Sequence, residues 1–383
     1  MTTSKEAPST PVLHDVDTLG EVIDCLTEQF DIPMQGACDQ KTLFEILVRA
    51  ASQSESVEQT CNTLEDVPGG NNVRYHLEKL CDIEALEKNL NEALQSRIPP
   101  RIRGRKQKAA IDLNLIPYYG TPSEAEAPYI YRSQAKSGTC SFYAYATVYV
   151  ISKGKRVTIA LHAVRRDETL VRVITHLLDR VSNLEMTIQR LYLDRGFFSV
   201  PVIRWLQACD IPFVMPLIIR GKQGGTRALL TPGRTRKTQY TMQSNLYGSV
   251  TFEVWVIGIY SKGKYGRHGL EYQAYAVYKV PIRLRGLRDD YRKRFGIESS
   301  YRLKNQSRIR TSTKNPAVRL LYIGIAFLLV DLWVYLVWTH VSRPRKGGRL
   351  LEPSRFPFKT MLRFLRQAID RKYIVNEAIY LRE

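Results

Sequence analysis

The chain has 383 residues, of which 44% are hydrophobic and 25% charged. That length exceeds one ordinary hydrophobic core and predicts two or three domains, and the composition excludes an intrinsically disordered protein. The formal net charge of +20 is uneven, since residues 1–96 hold 18 acidic and 6 basic residues, whereas 97–383 hold 19 acidic and 51 basic. The excess of +32 favours a polyanionic partner, either nucleic acid or an anionic membrane surface.

The first quarter of the chain is predicted to be helical. Residues 1–15 form a disordered tail rich in Pro, Ser and Thr, and 16–96 form a helical domain. Ser56, followed three residues later by Gln59, is a capping-box pattern, and Asn72 is the predicted cap of a helix over 73–80.

This helical domain has two interpretations. A helix-turn-helix unit would turn Arg74, His76 and Lys79 towards DNA. A plain helical bundle is the alternative, and the net charge of −12 over residues 1–96 favours it. The six cysteines form no CxxC pair and the histidines do not cluster near them, which argues against a zinc site. Together with an N-terminus that lacks an apolar signal segment, this predicts a cytoplasmic protein.

Residues 97–108 form a basic linker broken by proline, a composition that often follows a phosphate backbone. From 109 to 219 the pattern alternates between strands and helices, which predicts an α/β domain with a mixed sheet. The predicted strands cover 109–116, 141–152, 156–164, 189–194 and 211–219, and the predicted helices cover 167–184 and 200–209. Gly154 lies in the short connection that should close a hairpin between the second and third strands.

Residues 220–285 are predicted to be β-rich, either as an insertion or as an extension of the sheet, with long strands over 248–260 and 270–280. The chain becomes helical again from 287. Residues 317–339 are long and apolar enough to cross a bilayer, but Arg319 and Asp331 interrupt them, and a helix in a large core has the same composition. Residues 343–383 form a basic C-terminal tail.

Three carboxylates stand where their surroundings do not require them. Asp112 interrupts an apolar strand and Asp194 ends another; each alone is most simply a paired Asp at a strand. Glu298 shares one helix face with Tyr291 and Arg294, and that face continues to Arg302 and Asn305. Read alone, the face is an exposed surface with i,i+4 ion pairs.

As a set, the three acids predict a metal site. Adjacent central strands would bring Asp112 and Asp194 together, and the later helix would add Glu298. Mg²⁺ prefers such oxygen ligands. Two ions about 3.5–4 Å apart can activate an attacking oxygen and stabilise the leaving one at a phosphodiester.

At these residues the chain resembles the DDE transposases of prokaryotic insertion sequences, in the branch with the Tyr-Arg-Glu-Lys signature. The matching segments are AIDLN around Asp112, YLDRGF around Asp194, and YRKRFGIES, in which Tyr291, Arg294 and Glu298 keep the spacing Y-x2-R-x3-E. The resemblance covers roughly 109–340. It implies an RNase H-like catalytic domain formed by 109–219 and 286–342, with helices on both sheet faces and a β-rich insertion before the last catalytic helix.

The resemblance also implies an activity. The protein would cleave double-stranded DNA at the inverted repeats ending its element and join the freed 3′-hydroxyl to target DNA. Asp112, Asp194 and Glu298 would hold two Mg²⁺ ions, with Mn²⁺ an alternative. The residues expected to contact DNA are Tyr291, Arg294, Arg302, Lys304, Arg101, Arg103 and Arg105. The active complex would be a homodimer, associated with the nucleoid and not with a membrane.

One position departs from the family. The expected lysine, seven residues after the glutamate, is Asn305, with Lys304 and Arg308 as basic neighbours. Three alternatives remain beside the transposase: a nuclease with the same triad that does not join strands, an inactive DNA-binding relic, for which Asn305 is the only hint, and a membrane-anchored basic protein.

Overall fold

The computed structural model describes residues 12–36, 38–99, 101–152, 156–262, 268–346 and 348–376. Two compact units divide them. The described residues within Met1–Pro99 and Arg302–Glu383 form the helical unit, and those within Pro100–Tyr301 form the sheet unit. The catalytic carboxylates predicted from the sequence all belong to the sheet unit.

The helical unit begins with five helices: α1 (Asp15–Gln29), α2 (Gln40–Gln53), α3 (Val57–Thr63), α4 (Gly70–Glu78) and α5 (Ile83–Ser96). Ser56 caps α3 as predicted, since its side chain accepts a hydrogen bond from the Gln59 amide at 3.1 Å. The predicted cap Asn72 is wrong, because α4 begins two residues earlier. The N-cap is Gly69, and Gly70 packs closely on α3, where an added Cβ would overlap the Glu58 carboxylate and lie 3.1 Å from the Glu58 Cα.

The three residues of α4 and its C-cap that were predicted to face DNA differ in burial and in their contacts. His76 is 1% exposed and cannot face DNA. Arg74 pairs with Glu58 at 2.8 Å, and the Lys79 ammonium lies 4.2 Å from the centre of the Tyr75 ring. A helix-turn-helix role for this segment stays a prediction, but His76 belongs to the core.

The sheet unit starts with β1 (Lys106–Pro117), β2 (Ile130–Lys136), β3 (Thr139–Val150) and β4 (Thr158–Ala163). Helix α6 (Leu170–Ser182), β5 (Thr187–Leu193), α7 (Val200–Ala208) and β6 (Phe213–Pro216) follow. β3 pairs antiparallel with β1 and β4, as the predicted hairpin requires, although Gly154 lies outside the described residues. β5 pairs parallel with both β1 and β6. This mixed sheet flanked by helices confirms the predicted α/β fold.

The β-rich segment extends that same sheet. It contains β7 (Arg236–Ser244), β8 (Gly248–Lys262) and β9 (His268–Tyr278). β8 pairs antiparallel with β7 and with β9, and β9 pairs antiparallel with β6. The strand order is β2-β3-β1-β5-β6-β9-β8-β7, with β4 also on β3. Sequence patterning found β8 and β9 but not β7 or β2. Both lie on the edge of the sheet, where strands need less apolar alternation.

After β9 the chain forms α8 (Leu287–Arg292) and α9 (Phe295–Lys304). The single helix face predicted for Tyr291, Arg294, Glu298, Arg302 and Asn305 is wrong, because a turn at 293–294, closed by the Arg294 amide donating to the Tyr291 carbonyl, separates the two helices and α9 ends before Asn305. The division between the two units falls inside α9 at residue 302. The helical unit then gains α10 (Pro316–Leu336), the short strands β10 (Arg343–Arg345) and β11 (Gly348–Leu350), and α11 (Phe358–Tyr373). The predicted catalytic domain had included 286–342, whereas by contacts 302–342 group with the N-terminal helices.

The predicted C-terminal tail contains a packed helix. The Lys372 ammonium on α11 contacts the Glu45 carboxylate of α2 at 2.8 Å, and Arg49 contacts Asp370 at 3.1 Å. The last residues, 377–383, and residues 1–11 of the predicted N-terminal tail lie outside the described residues.

The long apolar helix is a core helix of its unit. By length and composition Pro316–Val341 could cross a membrane, but 83% of its most apolar window is buried inside the structure. A bilayer would require that surface to face lipid, so its burial by other helices favours the core interpretation made from the sequence.

Gly324 marks the closest approach of α10 to α5. A Cβ at this position would lie 2.1 Å from the Leu90 side chain, which is fully buried. We therefore expect Gly324→Ala to destabilise the protein by about 1–3 kcal/mol through overpacking. Gly20→Ala on α1, where no atom lies within 4 Å, is the matched control, and it should be neutral or stabilise by up to about 1 kcal/mol. Urea unfolding of both variants measures this, and equal stability of the two would contradict the close contact.

Candidate active site

Two of the three predicted carboxylates come from neighbouring strands. β1 and β5 run parallel, and Ile111 lies opposite Leu193. Asp112 and Asp194, the next residues of the two segments, therefore lie side by side. Asp112 still lies within β1, and its side chain is 17% exposed. Asp194 follows the last residue of β5, and its side chain is 42% exposed. The parallel register therefore produces the pairing that the sequence predicted.

Two tyrosines attach the later helices to the strand backbone beside Asp112 and Asp194. The Tyr291 hydroxyl on α8 donates to the Leu193 carbonyl, immediately before Asp194, at 3.0 Å. The Tyr301 hydroxyl on α9 donates to the Asp112 carbonyl at 3.2 Å and also lies 2.7 Å from the Thr147 hydroxyl. These bonds join both helices to the backbone beside both acids, and thereby set the height of Glu298 above the sheet.

Arg294 lies among all three acids. Its guanidinium is 3.2 Å from Asp112, 3.0 Å from Glu298 and 3.8 Å from Asp194. Burial lowers the pKa of Arg294, but the surrounding carboxylates and Tyr291 outweigh it and raise the pKa overall. Arg294 is therefore a permanent cation at the centre of a carboxylate cluster.

One guanidinium does not fully compensate this cluster. Burial, with smaller contributions from Asp194 and Glu298, raises the pKa of Asp112 to about 6 despite the opposing effect of Arg294. Burial is thus the main obstacle to ionisation of Asp112, and a single guanidinium also faces three carboxylates, which leaves an excess of negative charge when all three are ionised. Such a site favours additional positive charge.

This raised pKa predicts a stability effect. Asp112 binds its proton more tightly in the folded than in the unfolded chain, so its contribution to stability falls as pH rises from about 4 to about 6. Asp112→Asn removes that cost, and without metal at pH 8 it should raise the free energy of unfolding by about 2–3 kcal/mol. The gain should shrink towards pH 4. Asp179→Asn, an exposed change on α6, is the control, and a pH-independent effect of Asp112→Asn would contradict the assignment.

A buried ion network lies beneath α8. Asp290 accepts hydrogen bonds from Arg190 and Tyr192 of β5, and its other oxygen contacts Lys108 of β1 at 2.9 Å and Lys293 at 3.1 Å. Arg190 is 2% exposed and Asp290 7%. The network joins α8, the helix that carries Tyr291, to both strands that carry the acids.

The donor chemistry of the three acids suits a hard cation. The cluster offers only carboxylate oxygens, which Mg²⁺ and Mn²⁺ prefer. The three carboxylates outnumber the one guanidinium among them, and this provides the electrostatic reason for binding a cation. In the described part of the chain, a second group of side chains could ligate a metal ion. Its ligand atoms lie within 4.8 Å of one another and belong to His162, Glu168 and His176.

The residues predicted to contact DNA are distributed unevenly. Tyr291 and Arg294 are each only 6% exposed. Lys304 is 1% exposed in the helical unit, 5.5 Å from the centre of the Phe327 ring, and burial, with a smaller effect of Arg308, lowers its pKa to about 7. The exposed members of the predicted set are Arg101, Arg103, Arg105 and Arg302. Asn305 is also exposed, so buried Lys304 does not substitute for the family's lysine in this conformation.

Sequence reasoning missed three residues that shape the site: Asp290, Arg190 and Tyr301. Arg190 left a signal, because an arginine within a buried strand requires an acid partner. Tyr301 lies three residues after Glu298 and therefore near the same helix face. Nothing local identifies α8 as the partner of Arg190 or β1 as the partner of Tyr301.

The comparisons with known proteins agree with this architecture. The family model described as transposase DDE domain matches residues 103–332. No curated protein matches the sequence. Among solved structures, the chain is similar to one in the cryo-EM structure of the piggyBac transposase synaptic complex with hairpin DNA. The TM-score is 0.54 at 12% identity, over 97% of this chain and 84% of that one. At this identity the likeness shows a shared fold.

Proposed function

The chain belongs to the transposase DDE domain family and is a DDE transposase, and we propose that Asp112, Asp194 and Glu298 are its catalytic carboxylates. The observation that carries this proposal is the convergence of all three acids on the Arg294 guanidinium, within 3.8 Å. The placement in the prokaryotic insertion-sequence branch rests on the Y-x2-R-x3-E spacing and is part of the proposal.

DDE transposases depend on divalent cations, and we propose two Mg²⁺ ions here, with Mn²⁺ as a substitute. The oxygens of Asp112 and Asp194 would hold the cations from the sheet side and Glu298 from the helix side. When bound, the cations supply the charge that stabilises the attacking and leaving oxygens of an in-line displacement at a phosphodiester.

Arg294 would contact the DNA phosphate beside the cut. Its role as counter-charge to the acids ends once cations neutralise them. Its Nε is buried, so the contact would use the two terminal nitrogens, which bind Asp112 and Glu298 in the metal-free chain. A phosphate oxygen is a suitable acceptor for a planar guanidinium. The predicted contact between Tyr291 and a displaced base would require its hydroxyl to leave the Leu193 carbonyl.

The proposed substrate is double-stranded DNA, both the inverted repeats at the ends of the element and the target. Hydrolysis would free a 3′-hydroxyl, and transesterification would join it to target DNA. The exposed arginines 101, 103 and 105 would follow the phosphate backbone, making binding strongly salt-dependent. Because two ends must be joined in one reaction, the proposed active complex is a homodimer that works at the nucleoid.

A joining assay tests the function directly. The DNA flanking the gene provides the terminal repeat, and a labelled duplex ending in that repeat with a free 3′-hydroxyl is incubated with a target plasmid and Mg²⁺. Transposition predicts a labelled plasmid. A second duplex, in which the repeat is flanked by further DNA, reports cleavage. Cleavage of this duplex without any joined product would identify a nuclease. The absence of both cleavage and joining would identify a DNA-binding relic.

A further inference from the structure

A second cluster of metal-ligating side chains lies where β4 meets α6, made of residues that the proposed catalytic site does not use. His162 stands on β4, Glu168 in the loop that follows, and His176 on α6, and their ligand atoms all lie within 4.8 Å of one another. His162 Nε2 is 2.9 Å from Glu168 Oε2, and His176 Nδ1 is 3.0 Å from Glu168 Oε1. The two ring nitrogens are 3.4 Å apart.

Either hydrogen bonds or a cation can hold these three groups together. A carboxylate only accepts, so in the metal-free form each ring nitrogen that faces Glu168 carries a hydrogen and donates it to one of the two carboxylate oxygens. When those two nitrogens carry no hydrogen, all three groups offer lone pairs to the space between them, and a cation there takes the place of the two hydrogens.

The spacing suits a tetrahedral ion. Ligands about 2.0–2.1 Å from a tetrahedral Zn²⁺ are about 3.3–3.4 Å from one another. With Glu168 Oε1 as the carboxylate ligand, the separations are 3.1 Å to His162 Nε2, 3.0 Å to His176 Nδ1 and 3.4 Å between the two nitrogens, and they require adjustments of a few tenths of an ångström. The two imidazole planes are inclined by 77°, so they approach a shared point from different directions.

The surroundings hold the carboxylate in place. Glu168 is buried, with its side chain 4% exposed, and accepts a hydrogen bond from the Arg165 amide at 3.1 Å. Its own amide donates to the Arg165 carbonyl at 3.2 Å, which closes a turn. Support of this kind around a ligand orients it and strengthens metal binding. The side chain of His176 is 42% exposed, so a fourth position faces solvent.

We propose that His162, Glu168 and His176 bind a divalent transition-metal ion of the Zn²⁺ class, with water as the fourth ligand. Two imidazoles and one carboxylate are the donors that such an ion accepts, and they differ from the all-oxygen set of Asp112, Asp194 and Glu298. The ion would fasten α6 and the loop before it to the edge strand β4. The sequence argument against zinc considered cysteine pairs and their neighbouring histidines, and so overlooked a site without cysteine.

The test uses the full chain without an affinity tag. After dialysis against a chelator, Zn²⁺ is titrated by calorimetry and the thermal midpoint is measured with and without it. With Mg²⁺ kept in excess to occupy the three acids, we expect one Zn²⁺ per chain at His162, Glu168 and His176 and a higher midpoint with Zn²⁺. Co²⁺ substitution should produce the visible absorption of a tetrahedral site.

Variants assign the binding to these residues. His176→Gln, on the half-exposed face of α6, and Glu168→Gln should each weaken Zn²⁺ binding at least 10-fold. His340→Gln, an exposed histidine of the helical unit, and Asp194→Asn should leave it unchanged. The proposal is overturned if the wild type binds no stoichiometric Zn²⁺, or if both site variants retain wild-type affinity. Loss of binding only in Asp194→Asn would place the ion at the acids. None of these outcomes depends on transposition, so the proposed function is tested separately.

Discussion

Asp194→Asn is expected to lower the rate of DNA end joining by about 10³-fold or more, which corresponds to roughly 4 kcal/mol of transition-state stabilisation. The change keeps the size of the side chain but removes one anionic oxygen donor from a cluster whose proposed work is to hold cations. Asp112→Asn and Glu298→Gln should have effects of the same order, since the three acids act as a unit and their losses are not additive.

Folding is the necessary control for that prediction. Of the two strand acids, Asp194 is the one whose substitution should disturb folding less, because it is partly exposed and lies beyond the end of β5. The variant should bind end DNA as the wild type does in the absence of metal, and Asp179→Asn should join DNA normally. End joining by Asp194→Asn within 10-fold of the wild-type rate would remove Asp194 from the catalytic set.

Asp290→Asn is expected to destabilise the protein by about 3–5 kcal/mol, because it leaves buried Arg190 without a counter-charge. Lys108 and Lys293 lose the same partner. The matched control is its neighbour, Asp289→Asn, which is exposed and should change stability by less than about 0.5 kcal/mol. Chemical unfolding followed by tryptophan fluorescence measures both.

A second change separates loss of charge balance from loss of packing. Arg190→Met in the Asp290→Asn background removes the stranded guanidinium and should recover part of the lost stability, since an apolar replacement of a buried ion pair is often tolerated. If Asp290→Asn costs no more than Asp289→Asn, the network does not hold α8 to the sheet. Because α8 carries Tyr291, the destabilised variant should also join DNA more slowly.

The raised pKa of Asp112 connects stability with function. The buried carboxylate of Asp112 is costly to ionise in the folded chain, so the residue proposed to bind metal weakens the metal-free protein above about pH 6. Addition of Mg²⁺ should therefore raise the thermal midpoint of the wild type more than that of Asp112→Asn. The same reasoning explains the position of Arg294, which supplies positive charge among the acids in the metal-free chain.

Local patterns in the sequence were sufficient for the strands that carry the acids but not for the helical segment that carries Glu298. The single helix predicted for the Y-x2-R-x3-E residues is instead two helices, α8 and α9, with Arg294 in the turn between them. The strand around Asp112 and the strand ending at Asp194 formed as predicted, and Ser56 capped α3. Each depends on residues within a few positions of one another, through alternation of apolar side chains or a cap. Adjacency of the two strands followed from the order of strands and helices, which restricts the topologies of an α/β sheet.

Tertiary structure alone decided which side chains meet. Arg294 contacts Asp112, 182 residues earlier, and Asp290 pairs with Arg190, 100 residues away. Packing of distant elements also buries His76 and Lys304 and brings the Tyr291 hydroxyl to the Leu193 carbonyl. The same packing groups α10 and α11 with the N-terminal helices. The physical reason is common to all of these. Periodicity records that a face is buried or polar, whereas the identity of the partner depends on how distant elements pack.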